Sequence, residues 1–319
     1  MSSKIVLPQI PSSELLVSPA PTSDDAIPTE VVEIKKPRRL VLKFLAASVM
    51  AKVIATAGYA RFIEPHWIDE QDVALKVPQL PSAWEGRRVV QISDLHVGDV
   101  VDLEYLKSAI DRVNQLAPDM IFITGDIVNR NTPAEESTAQ ALLQKLVIPK
   151  QGIYGTLGNH DYGHGWRHLD RGDMLSFQLE KLGIKMLRND LEIVDGLQIA
   201  GIDDFWGPNF HPEKVLPKIN PELPSLVLCH NPDVLDLKGW DNVRGCVFAG
   251  HTHGGQVKLP FLPPPFLSVK NKNYVAGMYD IRDHLQLYIN RGLGYSRKVR
   301  LNMRPEITIV KLERAEASA

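Results

Sequence analysis

Gly245-Cys246-Val247-Phe248-Ala249-Gly250-His251-Thr252-His253-Gly254-Gly255-Gln256 carries two imidazoles one residue apart, wrapped in glycines. The segment Gly245 to Ala249 is small and apolar and reads as a buried strand. The histidines then sit where that strand ends and the chain turns. On an extended chain neighbouring side chains alternate between faces. Glycines permit backbone angles and close approaches that side chains would block, so the turn can aim each imidazole at its own target. Imidazole is the commonest metal ligand among side chains. A polar turn with two solvated histidines is the plain alternative.

The same pattern, a strand and then a metal-type side chain, recurs upstream. Ser225-Leu226-Val227-Leu228-Cys229 runs into His230-Asn231-Pro232. Ile153-Tyr154-Gly155-Thr156-Leu157 runs into Gly158-Asn159-His160-Asp161, which offers an amide oxygen, an imidazole and a carboxylate in succession. Asp119 to Thr124 ends at Gly125-Asp126, with Asn129 close behind, and Arg88 to Ser93 ends at Asp94-Leu95-His96. Each motif alone also reads as a turn, a cap or a satisfied core histidine. Leu197 to Ile202 leads to Asp203-Asp204; adjacent residues on an extended chain point apart, so this pair is expected to be structural. His164, Trp166 and His168 are expected in a loop bordering the cleft, as surface decoration. Leu103, Leu106, Ile110, Val113 and Leu116 have helical spacing, and a second helix is expected around Ser137 to Leu146. The last strands, Leu285 to Asn290 and Glu306 to Val310, flank Arg291-Gly292-Leu293-Gly294-Tyr295.

The chain has 319 residues, 23% charged and 44% hydrophobic, which is ordinary for a globular protein. A formal net charge of −2 gives no reason to expect a nucleic-acid partner. Cys229 and Cys246 lie in apolar runs and suggest no disulfide framework. Residues 1–37 are rich in Pro and Ser and lack aromatics, so they read as a disordered tail. Residues 38–63 read as a basic-apolar helix of the signal or membrane-anchor kind, and Arg38-Arg39-Leu40-Val41-Leu42-Lys43 resembles a twin-arginine export signal. Lys52 interrupts its apolar run. Residues 64–86 read as a linker, 87–312 as one catalytic domain of alternating strands and helices, and 313–319 as a tail.

In open α/β folds ligands gather outside the carboxyl ends of the strands. Two acids, four histidines and one asparagine are too many for one metal and suit two metals sharing a carboxylate. Such a pair clamps the attacking and leaving oxygens of an in-line displacement and makes hydroxide available near neutrality. Histidine-plus-carboxylate sites accept Mn, Fe or Zn.

Asp94-x-His96, Gly125-Asp126, Gly158-Asn159-His160-Asp161, His230 and Gly250-His251-Thr252-His253, in this order, resemble the calcineurin-like metallophosphoesterase superfamily. The resemblance implies a four-layer α/β/β/α sandwich with two mixed sheets and a dinuclear site at one edge. It implies that Asp94, His96 and His253 hold one metal, that Asn159, His230 and His251 hold the other, and that Asp126 bridges them. His160 would stabilise or protonate the leaving group, and Asp161 would orient it through a hydrogen bond. The basic-apolar segment, Gly201-Ile202-Asp203-Asp204, Gly254-Gly255-Gln256 and Arg291-Gly292-Leu293-Gly294 further resemble a membrane-associated bacterial branch. Members of that branch are linked to phosphodiester hydrolysis, and some cleave the pyrophosphate of UDP-2,3-diacylglucosamine in lipid A synthesis. A nucleotide-lipid or other phosphate-ester substrate, and association with the bacterial inner membrane, are therefore expected. The alternatives are a phosphomonoesterase or protein phosphatase, or a non-catalytic scaffold on the same fold.

Overall fold

The computed structural model describes residues 37–315, so all but the last residue of the expected tail at 1–37 and most of that at 313–319 lie outside the described residues. Helix α1, Pro37–Gly58, begins the described chain. Helical backbone continues through Tyr59–Ile63 and Glu64–His66. The helical stretch Arg39–His66, at 28 residues and a mean hydropathy of 1.8, is long and apolar enough to cross a membrane. Its last turns are tied to the domain: the Arg300 N–H donates to Ala60 O, and the Met303 N–H donates to Glu64 Oε1 at 2.7 Å.

Two six-stranded mixed sheets follow. The first contains β1 (Asp69–Val77), β2 (Arg88–Ile92), β3 (Met120–Thr124), β4 (Ile153–Thr156), β5 (Ile184–Met186) and β12 (Glu306–Arg314), in the order β1-β12-β2-β3-β4-β5. The second contains β6 (Asp190–Val194), β7 (Leu197–Gly201), β8 (Ser225–Leu228), β9 (Gly245–Ala249), β10 (Gly277–Arg282) and β11 (Leu285–Ile289), in the order β10-β11-β9-β8-β7-β6. Strands β2, β3, β4 and β5 are mutually parallel, as are β7, β8, β9 and β11.

Period-two alternation sorts the side chains between layers. Val89, Met120, Phe122 and Tyr154 of the first sheet meet Ile199, Leu226, Cys246 and Phe248 of the second in the core between them. Val90, Ile92, Ile121 and Ile123 face the other way, onto three helices: α2 (Leu103–Gln115), α3 (Pro133–Leu143) and α4 (Leu169–Glu180). The α2 helix buries Tyr105, Leu106, Ala109, Ile110 and Val113, and Asp102 caps it by accepting from the Tyr105 N–H. Thr132 and Glu135 form a capping box on α3, which starts the helix at Pro133 rather than near Ser137. The outer face of the second sheet is covered by short 3-10 turns and loops, with Leu216, Val234, Trp240 and Tyr274 packed on Val227, Val247 and Leu287.

The sequence reading of residues 64–86 as a linker is corrected. They hold β1, which pairs in parallel with β12 over nine residue pairs. Leu75, Val77, Leu80 and Trp84 from this segment are fully buried in the core between the sheets. The charged, alternating pattern of Asp69–Val77 belongs to an edge strand with one wet face.

Polar stitches align the two sheets just below one rim. Gln91 Nε2 donates to Thr124 Oγ1 at 2.9 Å and to Ala249 O at 3.0 Å. His230 Nδ1 donates to Thr124 O at 2.8 Å. With β2, β3 and β4 ending beside β8 and β9, the motifs after them share one edge.

Candidate active site

Every candidate ligand follows directly on a parallel strand: Asp94 and His96 on β2, Asp126 on β3, Asn159 on β4, His230 on β8, His251 and His253 on β9. All seven are buried. Five of them, Asp94, His96, Asp126, His251 and His253, have positive φ between 46° and 69°. That region is uncommon for residues with a Cβ, and strain of this kind persists only where the surroundings enforce it. It is how adjacent side chains escape strand alternation and turn to one point.

Close approach does the rest. A Cβ on Gly250 would lie 2.0 Å from Ser93 Oγ and 2.3 Å from Asp94 Oδ2, so only glycine lets the β9 turn pass over the β2 tip. Gly292, at φ 72°, passes Asp94 in the same way, where a Cβ would lie 2.6 Å from the aspartate's own. Asp94 is further held by the His251 N–H, 3.1 Å from each carboxylate oxygen.

The imidazoles meet in two nose-to-nose pairs. His96 Nε2 and His253 Nε2 lie 3.1 Å apart, as do His230 Nε2 and His251 Nδ1. Asp126 Oδ2 faces both pairs, 3.6 Å from His96 Nε2 and 3.1 Å from His230 Nε2. Asp94 Oδ1 lies 3.5 Å from His253 Nε2. The potential ligand atoms of Asp94, His96 and His253 all lie within 4.8 Å of one another, as do those of Asp126, His230 and His251. The Asn159 amide oxygen is buried without a hydrogen-bond partner.

Carbonyls fix which nitrogens point inward. His230 Nδ1 is committed to Thr124 O, and His251 Nε2 to Ser268 O at 3.2 Å, which makes His230 Nε2 and His251 Nδ1 the ring atoms that face inward. Burial pushes His96 and His251 down to about 3 and His253 well below the usual imidazole range, which keeps them in the neutral, ligating form. Burial opposes a charge on His230, but Asp126 and Asp94 outweigh it and raise its pKa. Burial likewise opposes ionisation of Asp126, yet His230 and His160 hold it well below the carboxylate range. Burial raises Asp94 to about 6. Among the described residues no lysine or arginine pairs with Asp94 or Asp126; their ion-pair partners are histidines alone. Two buried carboxylates ringed by lone pairs, beside an orphaned amide oxygen, form a donor set that fits divalent cations.

His160 is half-buried beside this cluster, its ring edge-on to His96 at 4.7 Å. Its backbone N–H donates to Asp126 Oδ1 at 2.8 Å, and its Nδ1 faces Asn129 O at 2.7 Å, which leaves Nε2 free. This corrects the expected contact with Asp161. That carboxylate is taken up by the N–H groups of Ile127, Val128 and Gly158, so it clamps the β3 and β4 tips together instead of touching the imidazole. Asp203 and Asp204 are buried near the cluster without joining it. Asp203 pairs with Arg188 at 2.8 Å, and Asp204 accepts from the Trp206 N–H at 2.7 Å. His164 and His168 are exposed.

Two neighbours escaped the sequence reading. Arg300 is fully buried, with Nη2 3.5 Å from His253 Nδ1 and hydrogen bonds to the carbonyls of Arg291, Gly292, Gly294 and Met303. No local pattern marks it. Trp206 meets the His251 ring at 4.5 Å, and only its place soon after a strand tip hints at this.

Residues 87–255 match the family model described as calcineurin-like phosphoesterase. The chain is 35% identical to the uncharacterized metallophosphoesterase YkuE of Bacillus subtilis, over 88% of its own length and 98% of that protein's. It is 28% identical to the UDP-2,3-diacylglucosamine pyrophosphatase LpxG of Chlamydia muridarum, covering 83% and 95%. With the phosphodiesterase YaeI of Escherichia coli the identity is 30%, covering 85% and 98%.

Proposed function

This chain belongs to the calcineurin-like phosphoesterase family, and from that premise we propose that it hydrolyses phosphodiester or pyrophosphate bonds. It is a metal-dependent phosphoester hydrolase. In the proposed arrangement Asp94, His96 and His253 hold one divalent cation, Asn159, His230 and His251 hold a second, and Asp126 is shared. The observation that carries this is Asp126 Oδ2 set between two facing imidazole pairs. When bound, two cations supply charge to the oxygens exchanging at phosphorus and acidify water.

The chain's own residues do the remainder. Asn129 O accepts from the His160 Nδ1–H, so Nε2 is the ring atom turned to the cleft, and in the imidazolium form it is the atom that delivers a proton to the departing oxygen and is left with a lone pair. The His160 N–H keeps the shared carboxylate in its rotamer. Asp161 holds the tips of β3 and β4 in register, which sets the spacing between Asp126 and His160.

A lipid-bearing substrate, such as the one in the name of the Chlamydia relative, is supported by the surface beside His253. A groove of about 490 Å³ there is lined by His253, Gln256, Val257, Phe266, Leu267 and Arg297. The adjoining loop leaves Phe261 entirely exposed and Phe266 at 70%. We assign these rings to acyl chains and the apolar helical stretch to a membrane.

The test is turnover by the manganese-loaded protein of a nitrophenyl phosphate diester, the matching monoester and UDP-2,3-diacylglucosamine. The diester or the pyrophosphate is expected to be preferred; preference for the monoester refutes the bond type. Replacing Phe261 and Phe266 by Ala is expected to slow the acylated substrate more than the small diester. Equal losses on both remove the lipid assignment.

A further inference from the structure

Two indoles roof the cleft between the candidate ligands. Trp166 lies in the connection between β4 and α4, and Trp206 follows β7, so one comes from each sheet. Their rings stack with centroids 5.2 Å apart and planes 17° apart. Trp206 meets His251 edge-on, and Trp166 lies 6.1 Å from His160. The pair thus spans from a candidate ligand to the candidate proton donor.

This arrangement is held in place deliberately. Trp166 has φ 60°, an outlier for a bulky side chain, directly after a turn in which Gly163 and Gly165 stand at 71° and 68°. Asp204 fixes the Trp206 backbone at 2.7 Å. Arg188 joins the two loops beneath, reaching Asp203 at 2.8 Å and the Tyr162 hydroxyl at 3.0 Å. An indole that merely filled a gap between loops would be covered. Trp166 stays 37% exposed at the mouth of a polar site.

We propose that Trp166, backed by Trp206, is a stacking platform for a planar ring of the nucleobase kind carried by the phosphoester substrate. This rests on the phosphoesterase reading above and adds a specificity determinant to it. Aromatic rings accept any base through its π-face, so the platform selects for planarity over base identity.

The probes are adenosine 5′-monophosphate and ribose 5-phosphate, which share sugar and phosphate and differ in the base. Calorimetric titration of the manganese-loaded full chain is expected to give a Kd about 10- to 100-fold lower for the nucleotide. Trp166→Leu abolishes that difference while leaving ribose 5-phosphate binding unchanged, and Trp166→Phe restores most of it. Equal Kd values in the parent protein overturn the proposal, as does binding of neither probe. Equal weakening of both probes in Trp166→Leu overturns it too, since the indole then only supports the fold. Diester turnover, measured on the same preparations, reports separately on the phosphoesterase reading. Stacking without turnover would sink that reading alone.

Discussion

Replacing His160 by Ala separates proton delivery from cation holding. The side chain sets its edge against His96 and lies near Asp126, and its Nδ1 is committed to Asn129 O. The contact that matters for the shared carboxylate, 2.8 Å to Asp126 Oδ1, comes from the backbone N–H and survives in the variant. The seven candidate ligands therefore keep their places, and the loss is confined to the proton reaching the leaving oxygen. General-acid contributions of this kind are roughly 10²- to 10⁴-fold. The size should track leaving-group basicity. A nitrophenolate leaves without much help, so its ester sits at the low end, and an alkyl ester sits at the high end. The assay pairs turnover of both esters with metal content by elemental analysis. A variant within about tenfold of the parent on the alkyl ester would refute the assignment of the proton donor. So would loss of metal together with turnover.

Asp126→Ala removes a carboxylate oxygen that lies 3.6 Å from one imidazole pair and 3.1 Å from the other, so metal content is expected to fall along with activity; full metal retention would disprove the shared role. Gly250→Ala forces a methyl to 2.0 Å from Ser93 Oγ and is expected to destabilise the metal-free protein by about 1–3 kcal/mol, read by chemical denaturation. An unchanged midpoint would contradict the packing. Burial raises Asp204 to about 7, above its unfolded value near 4, so the native state binds the extra proton between those limits. The contribution of this carboxyl to the stability of the metal-free protein is then fully present below about pH 4 and is lost as pH rises to about 7. Asp204→Asn should flatten that decline, and an identical slope in parent and variant would rule the carboxyl out.

The strands that the sequence makes legible are the eight interior ones, and the four it hides are the four sheet edges, β1, β5, β6 and β10. Interior strands are covered on both faces and read as apolar runs, such as Met120–Thr124. Edge strands are short or half-solvated, as in the alternating Gly277–Arg282, and blend into loops. The tips were legible because Asp, His and Asn after an apolar run are unusual in such numbers. Their left-handed backbones were not, since nothing local predicts φ of 52° at Asp94. The partner of His160 was misread for a related reason. The resemblance implied Asp161, whereas folding brings the Asn129 carbonyl to the ring from 31 residues away. Trp166 and Trp206 lie forty positions apart, and only the facing of two sheet rims makes them neighbours.

The pairing of β1 with β12 has a practical corollary. A fragment trimmed to begin at residue 87, where the family match starts, discards β1 and bares the backbone of Glu306–Arg314 along its full length. That newly opened ladder, flanked by the voids left by Leu75, Val77 and Trp84, is a template for another chain to dock on. Such a fragment is expected to self-associate on light scattering, whereas one starting at Glu64 is not; equal behaviour of the two would deny β1 its shielding role. The useful minimal enzyme thus begins upstream of its recognisable motifs.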